Sequence, residues 1–200
     1  MTKLMLDWCS HKAAAYAVDN WHYSERMPLG KLVKVGVWEN DQFVGAVIYG
    51  RGANANIGKS YDLNQTEICE LVRVALKSHE TEVSRIIAIS LKLLKKQYRT
   101  LQLIISYADP AQDHVGTIYQ AGGWIYSGTT NAAVQYFAGG RWKHRREVTG
   151  GAFGGCAVPN YQELPQRVRP PKHRYLMPLT KQMRQQVAPL AQAYPKNNSR

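Results

Sequence analysis

The run Leu101 to Tyr126, LQLIISYADPAQDHVGTIYQAGGWIY, limits the folds open to this chain more than any other stretch. Leu101 to Tyr107 is a short apolar strand, and it leads to an acid, Asp109, that Pro110 turns away from the strand direction. A helix carrying Tyr119 comes next and closes at Gly122-Gly123 before the next strand-like run. A carboxylate at the end of a buried strand and a phenol one helix later can converge on a cleft at a strand's carboxyl end. Such clefts are where α/β proteins commonly hold substrates.

The rest of the chain supplies elements to flank that unit. Ser10 can cap a helix that runs through Ala13 to about Val18, where Asp19-Asn20 stops it. Leu32 to Trp38 alternates, residues 39–42 read as a turn, and Phe43 to Tyr49 returns as a strand. Residues 50–64 form a polar loop, and Glu67 to Leu76 is a third strand with Arg73 inside it. After the polar loop KSHETEV comes the strongest helix, about Ser84 to Gln97, with Ile86, Ile87, Ser90, Leu93 and Leu94 as its inner stripe. Beyond residue 126, Gly139-Gly140 reads as a hairpin turn, and residues 147–172 as an irregular arm rich in glycine and proline. Arg174 to Leu179 returns as a strand, a last helix spans Thr180 to Ala193, and residues 194–200 form a frayed, flexible tail. A meander feeding a β-α-β-α-β run predicts one mixed sheet with helices on its faces, a single α/β or α+β domain over residues 1–200.

Composition narrows the partners. Cys9, Cys69 and Cys156 match neither a disulfide framework nor a metal knuckle, which points to a reducing compartment. The charged residues of the first twenty positions break any signal-peptide pattern, and no apolar run approaches the roughly 20 residues of a bilayer span. The expectation is a soluble cytoplasmic protein with no membrane partner. Net charge is +12, and from residue 101 onward four acids face twelve Lys and Arg. Arg141, Lys143, Arg145, Arg146, Arg167, Arg169, Lys172 and Arg174 cluster there among Trp142, Phe153, Tyr161, Tyr175 and His173. Cations that displace phosphate counterions, mixed with rings that offer faces to bases, predict a nucleic-acid surface on a basic arm over about residues 139–172. The plainer alternative is a surface kept soluble by charge.

Single motifs are ambiguous. Residues 53–60, ANANIGKS, fit a loose phosphate-loop pattern, but no long helix begins directly after them, and a polar loop accounts for them better. Arg73, a charge in an apolar strand, needs either a carboxylate such as Glu70 or an anionic ligand. Ser84 caps the long helix, whose amino terminus can also bind an anion. Asp109 either caps the next helix or acts in the cleft, and Tyr119, Tyr49 and His22-Tyr23-Ser24 either pack or act. The six histidines show no ligand pair at helical spacing, so no metal site is readable.

Taken together, the segments WHYS (21–24), VIYGRGA (47–53), ELVRVAL (70–76), VSR (83–85), YADP (107–110), IYQAGGW (118–124) and KHRY (172–175) resemble the Mom family of bacteriophage DNA-modification proteins. That family looks like an outlying branch of the GNAT acyltransferase superfamily. The resemblance implies a GNAT-like, mostly antiparallel mixed sheet with helices on both faces. It also implies conversion of adenine in double-stranded DNA to an N6-carbamoylmethyl (acetamido) derivative that shields phage DNA from restriction. The matching positions imply catalytic roles for Tyr23, Tyr49, Asp109 and Tyr119, and a cofactor-binding role for Arg73 and Ser84. The implied partner besides DNA is a small-molecule group donor: acetyl coenzyme A or another acyl or aminoacyl carrier. The chain departs from GNAT enzymes at their glycine-rich R/Q-x-x-G-x-G/A pyrophosphate loop. Here that loop is KSHETEVSR (77–85), with no glycine and with two acids, Glu80 and Glu82. The alternatives are a GNAT acyltransferase acting on protein or aminoacyl-tRNA, and a non-enzymatic basic DNA-binding protein. Monomer and homodimer are both open.

Overall fold

The computed structural model describes residues 2–52, 56–150 and 157–196. The first three residues of the ANANIGKS segment, together with Phe153, Cys156 and the last four residues of the expected tail, lie outside the described residues. In chain order the elements are β1 (Leu4–Trp8), α1 (His11–Trp21), β2 (Leu32–Glu39), β3 (Gln42–Gly50), β4 (Ile68–Leu76), α2 (Val83–Gln97) and β5 (Leu103–Ala108). The remaining elements are α3 (Thr117–Ala121), β6 (Ile125–Thr129), β7 (Ala133–Ala138), β8 (Arg141–His144), α4 (Arg145–Val148), β9 (Gln166–Arg169), β10 (His173–Pro178) and α5 (Lys181–Val187). Among the described residues no helix is long and apolar enough to cross a membrane.

Seven strands form one sheet in the order β1-β2-β3-β4-β5-β10-β6, and β8-β7-β9 form a second, smaller one. In the large sheet every pair is antiparallel except β4 with β5. This is the mixed, mostly antiparallel architecture that the resemblance implies. Strand alternation sorts its two faces. On β3, Val47 and Tyr49 join the core under α2 with Ile86, Ile87, Leu91 and Leu94, while Ala46 and Ile48 pack against Ala14, Ala17 and Val18 of α1. On β5, Ile104 faces α2, whereas Leu103 and Ile105 meet Met183 and Val187 of α5. Each fully buried Ile or Leu of this kind contributes about 1.5–3 kcal/mol.

Local chemistry explains most element ends. Ser10 caps α1 by accepting from Ala13 N at 3.1 Å, as expected. The helix continues past Asp19-Asn20 to Trp21, because Asn20 turns its amide back onto Tyr16 O at 2.8 Å instead of breaking the helix. Asn40 and Asp41, both left-handed (φ 49° and 64°), make the two-residue hairpin between β2 and β3. The last helix is shorter than the sequence suggests: α5 ends at Val187 and gives way to a short 3₁₀ turn containing Pro189.

Three features differ from the expectations. β1 is an added edge strand, antiparallel to β2. β10 inserts between β5 and β6, so the arm is an excursion leaving after β6 and re-entering the sheet one strand in from its edge. The arm itself is more regular than glycine and proline suggested: β9 pairs with β7 from Ala133↔Arg169 to Tyr136↔Gln166. α4 also begins with a capping box between His144 and Glu147.

Candidate active site

β4 and β5 are hydrogen-bonded only from Ile68↔Leu103 to Leu71↔Ser106. Beyond that point β4 stays with β3 and β5 stays with β10, so the two parallel strands part. A bulge at this fork (Ile48↔Arg73, then Tyr49↔Leu71) places one extra residue in β4. Bulges re-aim side chains, and this one sets the direction of Arg73. The opening is a cleft of about 510 Å³ lined by Trp21, His22, Tyr23, Val72 to Val74, Tyr107, Ala108, His114 and Tyr119, among others. Its size suits a small molecule.

Arg73 dominates the cleft's electrostatics. Its Nη1 donates to Val72 O at 2.7 Å, and its Nε is buried with no hydrogen-bond partner. Burial pulls its pKa below the ordinary arginine value, opposed by Tyr23 and Glu70. Tyr23 stands half exposed on the rim, its ring 4.3 Å from that of His22 and 5.5 Å from that of His114. Burial, then Arg73 and His114, pull the His22 imidazole down to about 4, so it is neutral at physiological pH. Its Nδ1 accepts from Ser24 N at 3.0 Å, which leaves the neutral ring's proton on Nε2. At the fork, Ser106 Oγ donates to Leu71 O at 2.8 Å and shares a hydrogen bond with the Tyr119 hydroxyl at 2.7 Å. Burial pushes Tyr119 up to about 12, so it remains a neutral phenol able to donate.

The structure thus brings Tyr23, Arg73 and Tyr119 together. Three other expected residues are placed differently. Tyr49 is sealed in the core at 1% exposure with its hydroxyl 2.5 Å from Ser90 Oγ, so it does not reach the cleft to stack on a base. Ser84 is not the cap of α2: Glu82 holds that position without a side-chain bond, and Ser84 lies in the first turn. Asp109 is not a free base. Oδ1 accepts from Ala111 N at 3.1 Å, while Oδ2 is ion-paired with Arg169 and lies 3.6 Å from Lys172 Nζ. Burial and the neighbouring Arg169 pull Lys172 down to about 8. His114 is a site residue that the sequence reading misses, although it comes just after the Asp109-Pro110 turn, whereas His22 is open there, with Tyr23 and Ser24, to either packing or acting. Among the described residues no group of three or more His, Cys, Asp or Glu gathers to hold a metal.

The arm has two faces. Directly opposed residues share a face, so Ala133, Gln135 and Phe137 of β7 lie with Arg169, Arg167, His144 and Trp142. This face runs from the Asp109 latch outward. Arg167 stacks 4.6 Å over the Trp142 ring and donates to Gln135 Oε1 at 3.0 Å, and Phe137 meets Trp142 edge to face at 5.4 Å. The other face carries Tyr136, packed on Tyr161, with Lys143 and Arg141. Of the eight cations expected to bind DNA, Arg141 pairs with Glu147 at 3.0 Å. Arg174 is a structural clasp, its guanidinium spent on Ser127 Oγ at 2.9 Å and Ser127 O at 3.0 Å. Arg145, Arg146 and Arg167 are exposed.

Comparison with known proteins converges on the same architecture. The model of the Mom protein family matches residues 3–196. The chain is 26% identical over 151 residues to the methylcarbamoylase Mom of Escherichia phage Mu, a match covering 74% of this chain and 61% of that protein. The match therefore spans about three fifths of that relative's length. Among solved structures, an aminoglycoside acetyltransferase AAC(6')-Ib, in complex with coenzyme A and kanamycin, aligns over 93% of this chain and 99% of its own at 8% identity, TM-score 0.54. The aminoglycoside N-acetyltransferase AAC(6')-Ib11 aligns over 90% and 98% at 10% identity, TM-score 0.52. At such identities the likeness is one of fold. The coenzyme A belongs to the first of these solved structures, and in this chain the loop before α2 is already occupied. The amides of Glu80 and Thr81 are already bonded to the Glu39 carboxylate at 2.9 and 2.8 Å, with Glu80 and Glu82 adding negative charge.

Proposed function

The chain belongs to the Mom protein family, and from that premise we propose that it is a transferase acting on double-stranded DNA: adenine's exocyclic nitrogen bonds to the methylene carbon of a carbamoylmethyl donor as that carbon's bond to the donor's leaving group breaks, and one amine hydrogen is lost to solvent as a proton. The observation that carries this reading is the junction of two features. A cleft lined by Arg73, whose enclosed Nε has no partner, with neutral phenols and a neutral imidazole, is tied through Asp109 to a basic, aromatic arm. The first suits a small polar donor and a planar base. The second suits a phosphate backbone.

Adenine's amine is hidden in a duplex, so the base must leave the stack to enter a cleft of this size. Arg167 and the exposed cations at the start of α4 take phosphates, and Trp142 with Phe137 offers rings beside them. Tyr23 on the rim is the surface on which the extruded base stacks. Arg73 holds the donor's polar end, and Tyr119, bonded to Ser106 at the fork, shapes the floor of the cleft. Asp109 is a positioning residue in this reading, fixing the arm against the cleft mouth. Modified adenine no longer presents an unsubstituted amine to restriction enzymes, which makes protection of phage DNA the biological outcome of this reading.

Mass spectrometry of nucleosides from cells expressing the chain tests the proposal. The expected product is deoxyadenosine carrying one carbamoylmethyl group, absent from cells without the gene. Unmodified DNA together with newly acylated protein or aminoacyl-tRNA would replace this reading with acyl transfer to those substrates.

A further inference from the structure

Beyond the cleft's β4 wall, the loop before α2 carries an anion of the protein's own. Glu39, the last residue of β2, is only 6% exposed. Its Oε2 accepts from Glu80 N at 2.9 Å and its Oε1 from Thr81 N at 2.8 Å. The Thr81 side chain, then the two backbone amides and His79, hold the carboxyl below its ordinary range although burial opposes them. Nor is Glu39 free to swing out. The hairpin beyond it is pinned to β1 by Asn40 N on Lys3 O at 2.9 Å, Lys3 N on Asn40 Oδ1 at 3.0 Å and the Lys3–Asp41 ion pair at 3.0 Å.

Consecutive backbone N–H groups ahead of a helix form a ready site for a phosphate oxygen. Here both are spent on a carboxylate, and Glu80 and Glu82 surround it with further negative charge. A diphosphate would have to displace Glu39 and then sit beside two acids. In contrast, Arg73 lines the cleft itself, with Nη1 on Val72 O at 2.7 Å and an enclosed Nε that has no acceptor. A polar nitrogen left unbonded is costly, so a ligand oxygen admitted to it by a small shift of the Arg73 side chain gains what the protein alone leaves unsatisfied.

We propose that Glu39 is a built-in occupant of the loop where this fold would take a cofactor diphosphate, and that the donor is a small molecule without a diphosphate, held on Arg73 by one compact anionic or carbonyl group. The donor class rests on the transferase reading above; the filled loop stands without it.

Calorimetric titration of the intact protein with coenzyme A and with inorganic pyrophosphate tests this, with backbone amide NMR at Glu80 and Thr81 as the site readout. The wild type is expected to bind both no tighter than about 1 mM, without shifts at those amides. In a Glu80→Gln, Glu82→Gln background, Glu39→Ala opens the amides and pyrophosphate binding tightens at least about tenfold. Glu39→Gln keeps the shape but removes the charge and gives a smaller gain; it decides the matter if melting shows the alanine variant unfolded. Micromolar binding of coenzyme A to the wild type with shifts at Glu80 and Thr81 overturns the proposal, as does a folded Glu39 variant with no gain. The two readings fail separately. Coenzyme A binding in a chain that does modify adenine removes only this inference, whereas rejection of coenzyme A in a chain that does not modify adenine removes only the DNA reading.

Discussion

Two neighbouring parts of one segment treat charge in opposite ways. Arg73, on the cleft wall of β4, keeps a buried guanidinium nitrogen without a partner. A few residues on, Glu80 and Thr81 have their amides closed by a carboxylate from a hairpin two strands away. A chain that satisfies one ion site with its own side chain and leaves the next open has moved its ligand contact from the loop to the strand. The architecture is shared with acetyltransferases.

The sharpest way to break that contrast is to remove the cation. Arg73→Ala is expected to lower modification by about 100-fold or more, the scale of losing a hydrogen-bonded buried charge contact of roughly 3 kcal/mol. It should leave the melting temperature unchanged or higher, since an incompletely satisfied buried charge is removed. Arg73→Lys should not rescue it, because an ammonium lacks the guanidinium's fork of donors. Full modification by Arg73→Ala, measured by nucleoside mass spectrometry, would show that the orphan nitrogen holds nothing.

The latch at Asp109 extends the comparison to the arm. Asp109→Ala releases Arg169 and Lys172 for phosphate, so duplex affinity should hold or rise and the salt dependence should steepen by one to two charges. Modification should still fall about tenfold or more, because the arm no longer registers against the cleft. A loss of duplex affinity in the folded variant would mean that the latch supports binding rather than positioning. A smaller effect separates the arm's faces: Arg167→Ala should weaken duplex binding and reduce the salt slope by about one, while Lys143→Ala on the opposite face should change neither. Equal effects from the two variants would make the arm a diffuse basic surface.

Legibility in the sequence tracks the range of the interactions. The β2–β3 hairpin and α2 rest on local periodicity and a two-residue turn, and both are readable. β1 and β9 are short edge strands whose existence depends on distant partners, and neither is apparent from composition. The same rule sorts the site. Arg73 stands out as a charge in an apolar strand, and Tyr119 as a phenol one helix after an acid. Tyr49, Asp109 and Arg174 are displaced from their expected roles by partners 41, 60 and 47 residues away, Ser90, Arg169 and Ser127. Residue type at a strand end does not tell which face the side chain takes. Nor does the loop's lack of glycine reveal that Glu39 fills it, because the hairpin that carries Glu39 lies about forty residues earlier.

The gentlest probe of the contrast is acid. Because the folded protein holds the Glu39 carboxyl below its ordinary pKa, its contribution to stability is fully present above the unfolded value near 4.5 and is lost as pH falls through the lowered one. His22 also titrates below neutrality: its folded pKa of about 4 lies under the ordinary 6.5, so stability falls as pH drops between those values. The two therefore separate by window. Glu39→Gln should cost about 1 kcal/mol at neutral pH and flatten only the limb below about pH 4.5, leaving the slope above it to His22. Urea melts from pH 7 to pH 3 measure both limbs, and an unaltered acid limb in Glu39→Gln would mean that those two amides hold the carboxylate too weakly to keep out a competing anion.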